Sequence, residues 1–134
     1  HMIGRNVLIV DDSSTARAQV KGTLSQLGLN IIECSDGLEA LNLLKSWSAE
    51  GKDVTEELLL VITDAEMPEM DGLQATREIR SLEIRQPFII ALTANAFEED
   101  RQKCAEAGMD DFLTKPIKMD KMIAKISHFH ERES

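Results

Sequence analysis

Short apolar runs alternate with longer stretches of helical spacing five times along the chain, and this alternation limits the fold more than any other feature. The runs are rich in β-branched residues, as in VLIV and LLLVI, and the apolar residues between them recur every three to four positions. Strands separated by helices pair in parallel through right-handed crossovers. Because the runs are continuously apolar, we expect a sheet that helices cover on both faces.

The apolar runs predict five strands, at Val7–Val10, Ile31–Ile32, Leu58–Ile62, Phe88–Leu92 and Phe112–Leu113. Five strand–helix units fit an α/β fold with a flavodoxin-like, doubly wound, five-stranded parallel sheet of order 2-1-3-4-5 and five helices. The second strand, NIIECS, is short and polar, so we expect it at an edge. The polar connection SWSAEGKDVTEE is expected to extend over the surface before the third strand.

Length and composition favour one domain without a membrane span. The chain has 134 residues, of which 43% are hydrophobic, and this is enough for one core. No apolar run approaches the roughly 20 residues that cross a bilayer, so we expect a cytoplasmic protein. The net charge of −9 disfavours direct binding to nucleic acid. Cys34 and Cys104 lack metal-ligand spacing and are expected to be reduced and buried.

The sequence also suggests where the domain begins and ends. Residues 1–4 are interpreted as a tag remnant and lead-in, since His1-Met2 resembles what cloning leaves behind. Residues 5–130 carry the repeated pattern and form the expected domain. Residues 131–134 are expected to be a tail.

Polar side chains stand where the expected strands end. Asp11 and Asp12 follow the first strand, Asp64 ends the third, Thr93 the fourth and Lys115 the fifth. Since ligands of such sheets bind at the carboxyl ends of the strands, we expect these residues to converge. Close carboxylates repel one another unless a cation lies between them, and oxygen ligands suit Mg²⁺. An aspartate there can form an aspartyl-phosphate, with the lysine and threonine on its phosphate oxygens.

Each of these residues taken alone has an ordinary structural explanation. Asp11 and Asp12 can cap the first helix, and Asp64 can belong to a strand-end turn. Thr93 carries little information by itself, and Lys115 before a proline can be a solvated turn residue. The coincidence of all of them at strand ends favours a functional site.

Four stretches, VLIVDDSSTAR, VITDAEMPEMDG, FIIALTA and DDFLTKPI, resemble the receiver domains of two-component response regulators. The likeness spans residues 5 to 130. The part up to residue 72 is similar to the receivers of chemotaxis coupling scaffolds, and the later part to those of hybrid histidine kinases.

This resemblance implies a phosphoacceptor and a metal site. Asp64 would accept a phosphoryl group from a histidine kinase or a histidine phosphotransfer protein. Mg²⁺ would be bound by the side chains of Asp12 and Asp64, by the backbone carbonyl of Glu66, and by Asp11 through a water molecule. Lys115 would contact the phosphoryl group.

The resemblance also implies an output. Thr93 would turn inward on phosphorylation, and Phe112 stands at the position of the rotating aromatic switch. The signal would emerge on the surface of the fourth helix, fifth strand and fifth helix of the expected fold. A downstream protein or an attached output domain would read it, without direct contact to nucleic acid or membrane.

Four functions remain open from the sequence. The first is a phosphorylation switch that changes partner binding and is not itself an enzyme, although it assists its own phosphorylation and dephosphorylation. The second is a phosphorelay intermediate or phosphate sink without conformational output. The third is an aspartate-nucleophile phosphohydrolase, which would place a second Asp where Glu66 stands. The fourth is a degenerate receiver that acts as a scaffold.

Overall fold

The computed structural model of the protein describes residues 3–65, 72–94, 97–115 and 118–133. Five parallel strands form one sheet in the order β2-β1-β3-β4-β5. They are β1 Asn6–Val10, β2 Asn30–Cys34, β3 Leu60–Asp64, β4 Ile89–Thr93 and β5 Asp111–Thr114. The predicted fold class and strand order are confirmed, and the polar strand β2 lies at an edge as expected.

Within the described ranges the strands are joined by six helices, one more than the sequence predicted. They are α1 Ser14–Gln26, α2 Gly37–Ala49, α3 Val54–Glu57, α4 Gly72–Arg80, α5 Glu98–Ala107 and α6 Met119–Glu133. The fourth and fifth helices of the predicted fold are therefore α5 and α6.

The short helix α3 corrects the prediction of five helices, because it forms within the connection that was expected to extend over the surface. Asp53 caps it, since Oδ1 accepts a hydrogen bond from the backbone N–H of Thr55 at 2.9 Å. Val54 is buried against the core. An apolar residue next to a capping residue turns part of this polar connection inward.

Two apolar clusters fill the two faces of the sheet. On one face, alternate residues of the central strands, such as Leu8 and Val61, pack with α2, α4 and α5. On the other face, Val7, Ile9 and Ile62 pack with α1 and α6. The central strands are therefore buried on both sides, which is the physical reason that they are continuously apolar.

Cys34 and Cys104 are both buried and reduced, as the sequence predicted. Burial, together with the nearby charges of Glu39 and Asp36, raises the pKa of Cys34 to about 11. In the described part of the chain, no helix is long and apolar enough to span a bilayer.

Candidate functional site

Three carboxylates meet at the carboxyl edge of the sheet. Asp11 and Asp12 directly follow β1, and Asp64 is the last residue of the neighbouring strand β3. One oxygen atom from each of the three residues lies within 4.8 Å of the others. Asp11 and Asp64 are 1% and 7% exposed, whereas Asp12 is open to solvent. The cluster therefore has a buried floor and an open side.

The two carboxylate oxygens of Asp11 have different surroundings. Oδ1 accepts a hydrogen bond from the backbone N–H of Ser13 at 2.9 Å. Oδ2 is buried and has no hydrogen-bond partner among the described residues. Burial raises the pKa of Asp11 above its usual value, and the charges of Asp64 and Asp12 add to this, against the opposing effects of Ser13 and Lys115.

Lys115 joins the carboxylates from the end of β5. Its Nζ donates a hydrogen bond to Asp64 Oδ2 at 2.8 Å and lies 3.7 Å from Asp11 Oδ2. Burial lowers the pKa of Lys115, but its hydrogen bond to Asp64 and the surrounding negative charges outweigh burial, and the pKa is raised. The ammonium group therefore stays charged beside the carboxylates at neutral pH.

Thr93 is the last residue of β4 and lies at the same edge of the sheet. It is 4% exposed, and it follows Leu92, the residue that is paired with Asp64 on β3. The carbonyl oxygen of Thr93 accepts a hydrogen bond from the backbone N–H of Lys115 at 2.8 Å. This bond holds the ends of β4 and β5 together, so that threonine and lysine stand next to each other.

Phe112 stands apart from the carboxylates, on the sheet edge between α5 and α6. It is half-buried and paired in register with Ala91. The guanidinium carbon of Arg101 on α5 lies 4.5 Å from the ring centroid, and Nζ of Lys125 on α6 lies 5.9 Å from it. Both are within the range of a cation–π contact. Glu66, the predicted backbone-carbonyl ligand, lies outside the described residues.

Gly72 at the start of α4 matters to the site in a way that the sequence did not reveal. A Cβ atom at this residue would stand 2.1 Å from the carbonyl oxygen of Asp64 and 2.9 Å from Thr63 Oγ1. A side chain of any size would therefore push against the backbone that carries Asp64. The one signal that the sequence offers for this contact is the glycine itself.

Arg17, on the first turns of α1, was also missed. Its guanidinium donates a hydrogen bond to the carbonyl oxygen of Asp11 and another to Glu33 on β2. The sequence offered no more than an arginine a few residues after two acids, and such neighbours are common on protein surfaces.

The donor set at this edge fits a hard divalent cation. It supplies carboxylate oxygens alone, without nitrogen or sulfur, and Mg²⁺ prefers such ligands together with water. A buried carboxylate oxygen without a hydrogen-bond partner is rare in folded proteins, and among the described residues Asp11 Oδ2 has none, although Lys115 Nζ lies 3.7 Å away. A hydrated cation would supply this oxygen with a partner through a bound water and would reduce the repulsion among the three acids.

Comparison with known proteins agrees with this geometry. The family model described as "Response regulator receiver domain" matches residues 7–127. The chain belongs to the response regulator receiver domain family. Receiver domains are regulatory phosphoacceptor modules of two-component signalling, and that is the class of this protein.

Among similar proteins, the sensor histidine kinase RcsC of Escherichia coli K12 is 35% identical over 126 residues. The match covers 94% of this chain and 12% of that kinase, so the chain spans about an eighth of the length of such relatives. The predicted likeness to histidine kinase receivers is therefore confirmed. The likeness of the first part to chemotaxis coupling scaffolds stays a prediction.

Two solved structures are similar in fold and sequence. One is the receiver domain of the sensor histidine kinase PA1611 from Pseudomonas aeruginosa, which was solved with a magnesium ion coordinated in its active site cleft. It has a TM-score of 0.78 and 35% sequence identity to this chain, and the match covers 94% of this chain and 97% of that chain. The receiver domain of Ssk1 from Saccharomyces cerevisiae, solved with the histidine phosphotransfer protein Ypd1, has a TM-score of 0.78 and 26% identity, covering 96% and 90%.

Proposed function

We propose that this receiver domain accepts a phosphoryl group from a phosphohistidine onto Asp64, with Mg²⁺ as cofactor, and that phosphorylation changes its binding to partners. The observation that carries the proposal is the meeting of Asp64 with an ammonium group and two further acids. Lys115 Nζ lies 2.8 Å from the Asp64 carboxylate, in a cluster whose floor is an oxygen of Asp11 that accepts no hydrogen bond from the described residues. This set can both orient an aspartate nucleophile and receive the charge of a phosphoryl group.

The residues that would hold Mg²⁺ are Asp12 and Asp64 through their side chains, Glu66 through its backbone carbonyl, and Asp11 through water. When bound, Mg²⁺ would neutralise negative charge on the phosphoryl oxygens. Asp11 lies deepest and Asp12 faces solvent, so the open side of the cluster leaves space for a donor.

Phosphoryl transfer then needs one bond exchange. An oxygen atom of the Asp64 carboxylate attacks phosphorus and forms an O–P bond. The N–P bond of the donor phosphohistidine breaks, and its electron pair returns to the imidazole nitrogen. Lys115 stays within reach of the new phosphate oxygens, and Thr93, at the end of β4, would donate its hydroxyl hydrogen bond to another of them. No other residue of the chain has to change its covalent state.

The conformational change that follows phosphorylation would extend from Thr93 and Lys115 to Phe112. The backbone hydrogen bond between Thr93 and Lys115 connects the end of β4 to the end of β5, the strand that carries Phe112. Movement of the threonine towards the phosphate leaves space behind it for the aromatic ring. The face formed by α5, β5 and α6 would then differ between the two states, and a partner that prefers one of them shifts the equilibrium.

The expected phosphoryl donor is a histidine kinase or a histidine phosphotransfer protein. The similarity to Ssk1, which was solved with such a phosphotransfer protein, supports this partner class. A downstream protein or an attached output domain would read the signal. A cytoplasmic location and the domain limits 5–130 remain predictions.

Intact-protein mass spectrometry after incubation with a small acyl phosphate and Mg²⁺ tests the phosphoacceptor. The parent should gain one phosphoryl group, and a metal chelator should prevent it. Asp64→Asn, which keeps the shape of the side chain, should gain none. Glu106→Gln, at an exposed position on α5, is the matched control and should be labelled like the parent. Equal labelling of Asp64→Asn would show that the acceptor lies elsewhere.

The alternative of a phosphorelay intermediate is favoured by the likeness to receivers of sensor histidine kinases. Beryllofluoride, which mimics the phosphoryl group, separates it from a switch. In nuclear magnetic resonance spectra, a switch predicts shifts of the amides of Phe112 and Lys125 as well as those around Asp64. Shifts that stop at the carboxylate cluster would favour the relay.

A further inference from the structure

The backbone of Asp11 is connected to the edge strand β2 in two ways, directly through its N–H and through Arg17 at its carbonyl oxygen. Its N–H donates a hydrogen bond to the carbonyl oxygen of Cys34 at 3.1 Å. Its own carbonyl oxygen accepts a hydrogen bond from Nη1 of Arg17. The guanidinium is in turn anchored on β2, because Nε donates to Glu33 Oε1 at 3.2 Å. Arg17 thus connects the edge strand β2 with the acidic loop, which is Asp11 and Asp12 before the start of α1.

This arrangement determines where the carboxylate of Asp11 points. With the peptide groups on both sides of Asp11 fixed, the side chain leaves the backbone in one direction. Oδ1 then meets the N–H of Ser13, and Oδ2 faces the cluster 3.7 Å from Lys115 Nζ. Without Arg17, the carbonyl oxygen of Asp11 would lose a partner, and the peptide between Asp11 and Asp12 would be free to rotate.

The two hydrogen bonds of Arg17 depend on the shape of its guanidinium group more than on its charge. Arg17 binds a carbonyl oxygen and a carboxylate through two separate nitrogens of one planar fork, whereas a lysine ammonium presents all of its donors at a single atom and does not reproduce this spacing. The side chain is 18% exposed, so water competes little for its donors. Lys21 also contacts Glu33, at 3.5 Å, but it is half-exposed and lies one helical turn further along α1 than Arg17.

We propose that Arg17 is a positioning residue for the metal site, one that holds Asp11 and Asp12 in the conformation that binds Mg²⁺. This inference rests on the proposed function, since it concerns the same cluster. The variant Arg17→Ala should bind Mg²⁺ about tenfold more weakly, the lower end of the effect seen when a residue that orients metal ligands is removed.

Two measurements separate positioning from a general loss of structure. Isothermal titration calorimetry gives the Kd for Mg²⁺ directly. Labelling of Asp64 by a small acyl phosphate across a Mg²⁺ series should show a half-saturating concentration raised by about the same tenfold, with the parent's rate regained at saturating Mg²⁺. A variant that is merely misfolded would not regain this rate, however much Mg²⁺ was added.

Three further variants complete the design. Arg17→Lys keeps the charge and should not restore the parent's Kd, because a single ammonium does not reproduce the two separated donors of the guanidinium. Glu33→Gln weakens the anchor without touching the loop and should shift the Kd in the same direction by less. Lys21→Ala, the matched control, should bind Mg²⁺ like the parent. If Arg17→Ala fails to fold, as circular dichroism would show, Glu33→Gln against Lys21→Ala decides the matter.

The outcomes that overturn the inference are distinct from those that overturn the proposed function. A parent that neither binds Mg²⁺ nor becomes labelled removes the proposed function and the role of Arg17 with it. A parent that does both, beside a folded Arg17→Ala with the same Kd, removes the positioning role alone. Full rescue by Arg17→Lys would show that charge, and not the two-sided contact, is what the site needs.

Discussion

The substitution Gly72→Ala tests how closely the start of α4 approaches the phosphoacceptor strand. The added Cβ would lie 2.1 Å from the carbonyl oxygen of Asp64 and 2.9 Å from Thr63 Oγ1. An ordinary contact needs at least about 3.4 Å, so helix and strand must separate by roughly 1 Å. The nearest atom belongs to the backbone and cannot move aside by rotating a side chain.

Overpacking of this kind costs about 1–3 kcal/mol, while replacing a helical glycine by alanine returns about 0.5–1 kcal/mol. We therefore expect a net loss of about 1–2 kcal/mol in the free energy of unfolding. With a urea m-value of about 2 kcal/mol/M, the midpoint of unfolding should fall by roughly 0.5–1 M. A displacement of the acceptor by ~1 Å should also slow labelling of Asp64 by up to about 100-fold.

Gly22→Ala provides the control with the opposite sign. Gly22 lies in the middle of α1, and a Cβ there would meet nothing within 4 Å. The same change of residue should raise the stability by about 0.5–1 kcal/mol, with no effect on labelling. If Gly72→Ala were as stable as the parent, or were labelled as fast, the close approach of α4 to β3 would not constrain the site.

Three further predictions concern the charged groups around the site. Asp11→Asn removes a buried carboxylate whose pKa is raised by burial. In metal-free protein this variant should raise the free energy of unfolding by about 1 kcal/mol, and it should abolish the stabilisation by Mg²⁺. Urea unfolding with and without Mg²⁺ measures both effects. The opposite sign would mean that the metal-free cluster is not under repulsion. Because the pKa of Lys115 is raised above 10.5, the stability that its charge contributes is present below that pH and lost as the pH rises through the folded-state pKa. Unfolding curves from about pH 10 to about pH 12 should show this loss in the parent, and Lys115→Met should lack it. Arg101→Ala removes one cation beside the Phe112 ring and should cost about 0.5–1 kcal/mol, with a shift of the ring proton resonances; an unchanged spectrum would contradict the contact.

The fold was predictable because the information is local and repeated. The strands β1, β3 and β4 are apolar throughout, and this pattern has one common solution, a parallel sheet covered on both faces. The helix α3 was missed because Val54 and its cap at Asp53 occupy few residues, too few for a periodic signal. Its formation depends on a space in the core that Val54 fills.

Much of the candidate site could also be anticipated from the sequence. Parallel strands end at the same edge of a sheet, so the acids after β1 and β3 and the lysine after β5 had to share a neighbourhood. The positions of these residues in the sequence were sufficient for this, because residues at the carboxyl ends of adjacent parallel strands lie close together. The same reasoning could not predict which of these carboxylate oxygens would lack a hydrogen-bond partner.

The sequence by itself thus determined the layers and the edge on which the polar residues gather, since these follow from the pattern of each element, and the strand order followed from the common arrangement of five such units. The tertiary structure decided that Oδ2 of Asp11 accepts no hydrogen bond from the described residues, that Gly72 lies against the backbone of Asp64, and that Arg17 connects Asp11 to Glu33. Those three facts are distances between elements that are remote in sequence. They are set by how β1, β2, β3 and their helices pack together, and a pattern along a single segment does not contain them.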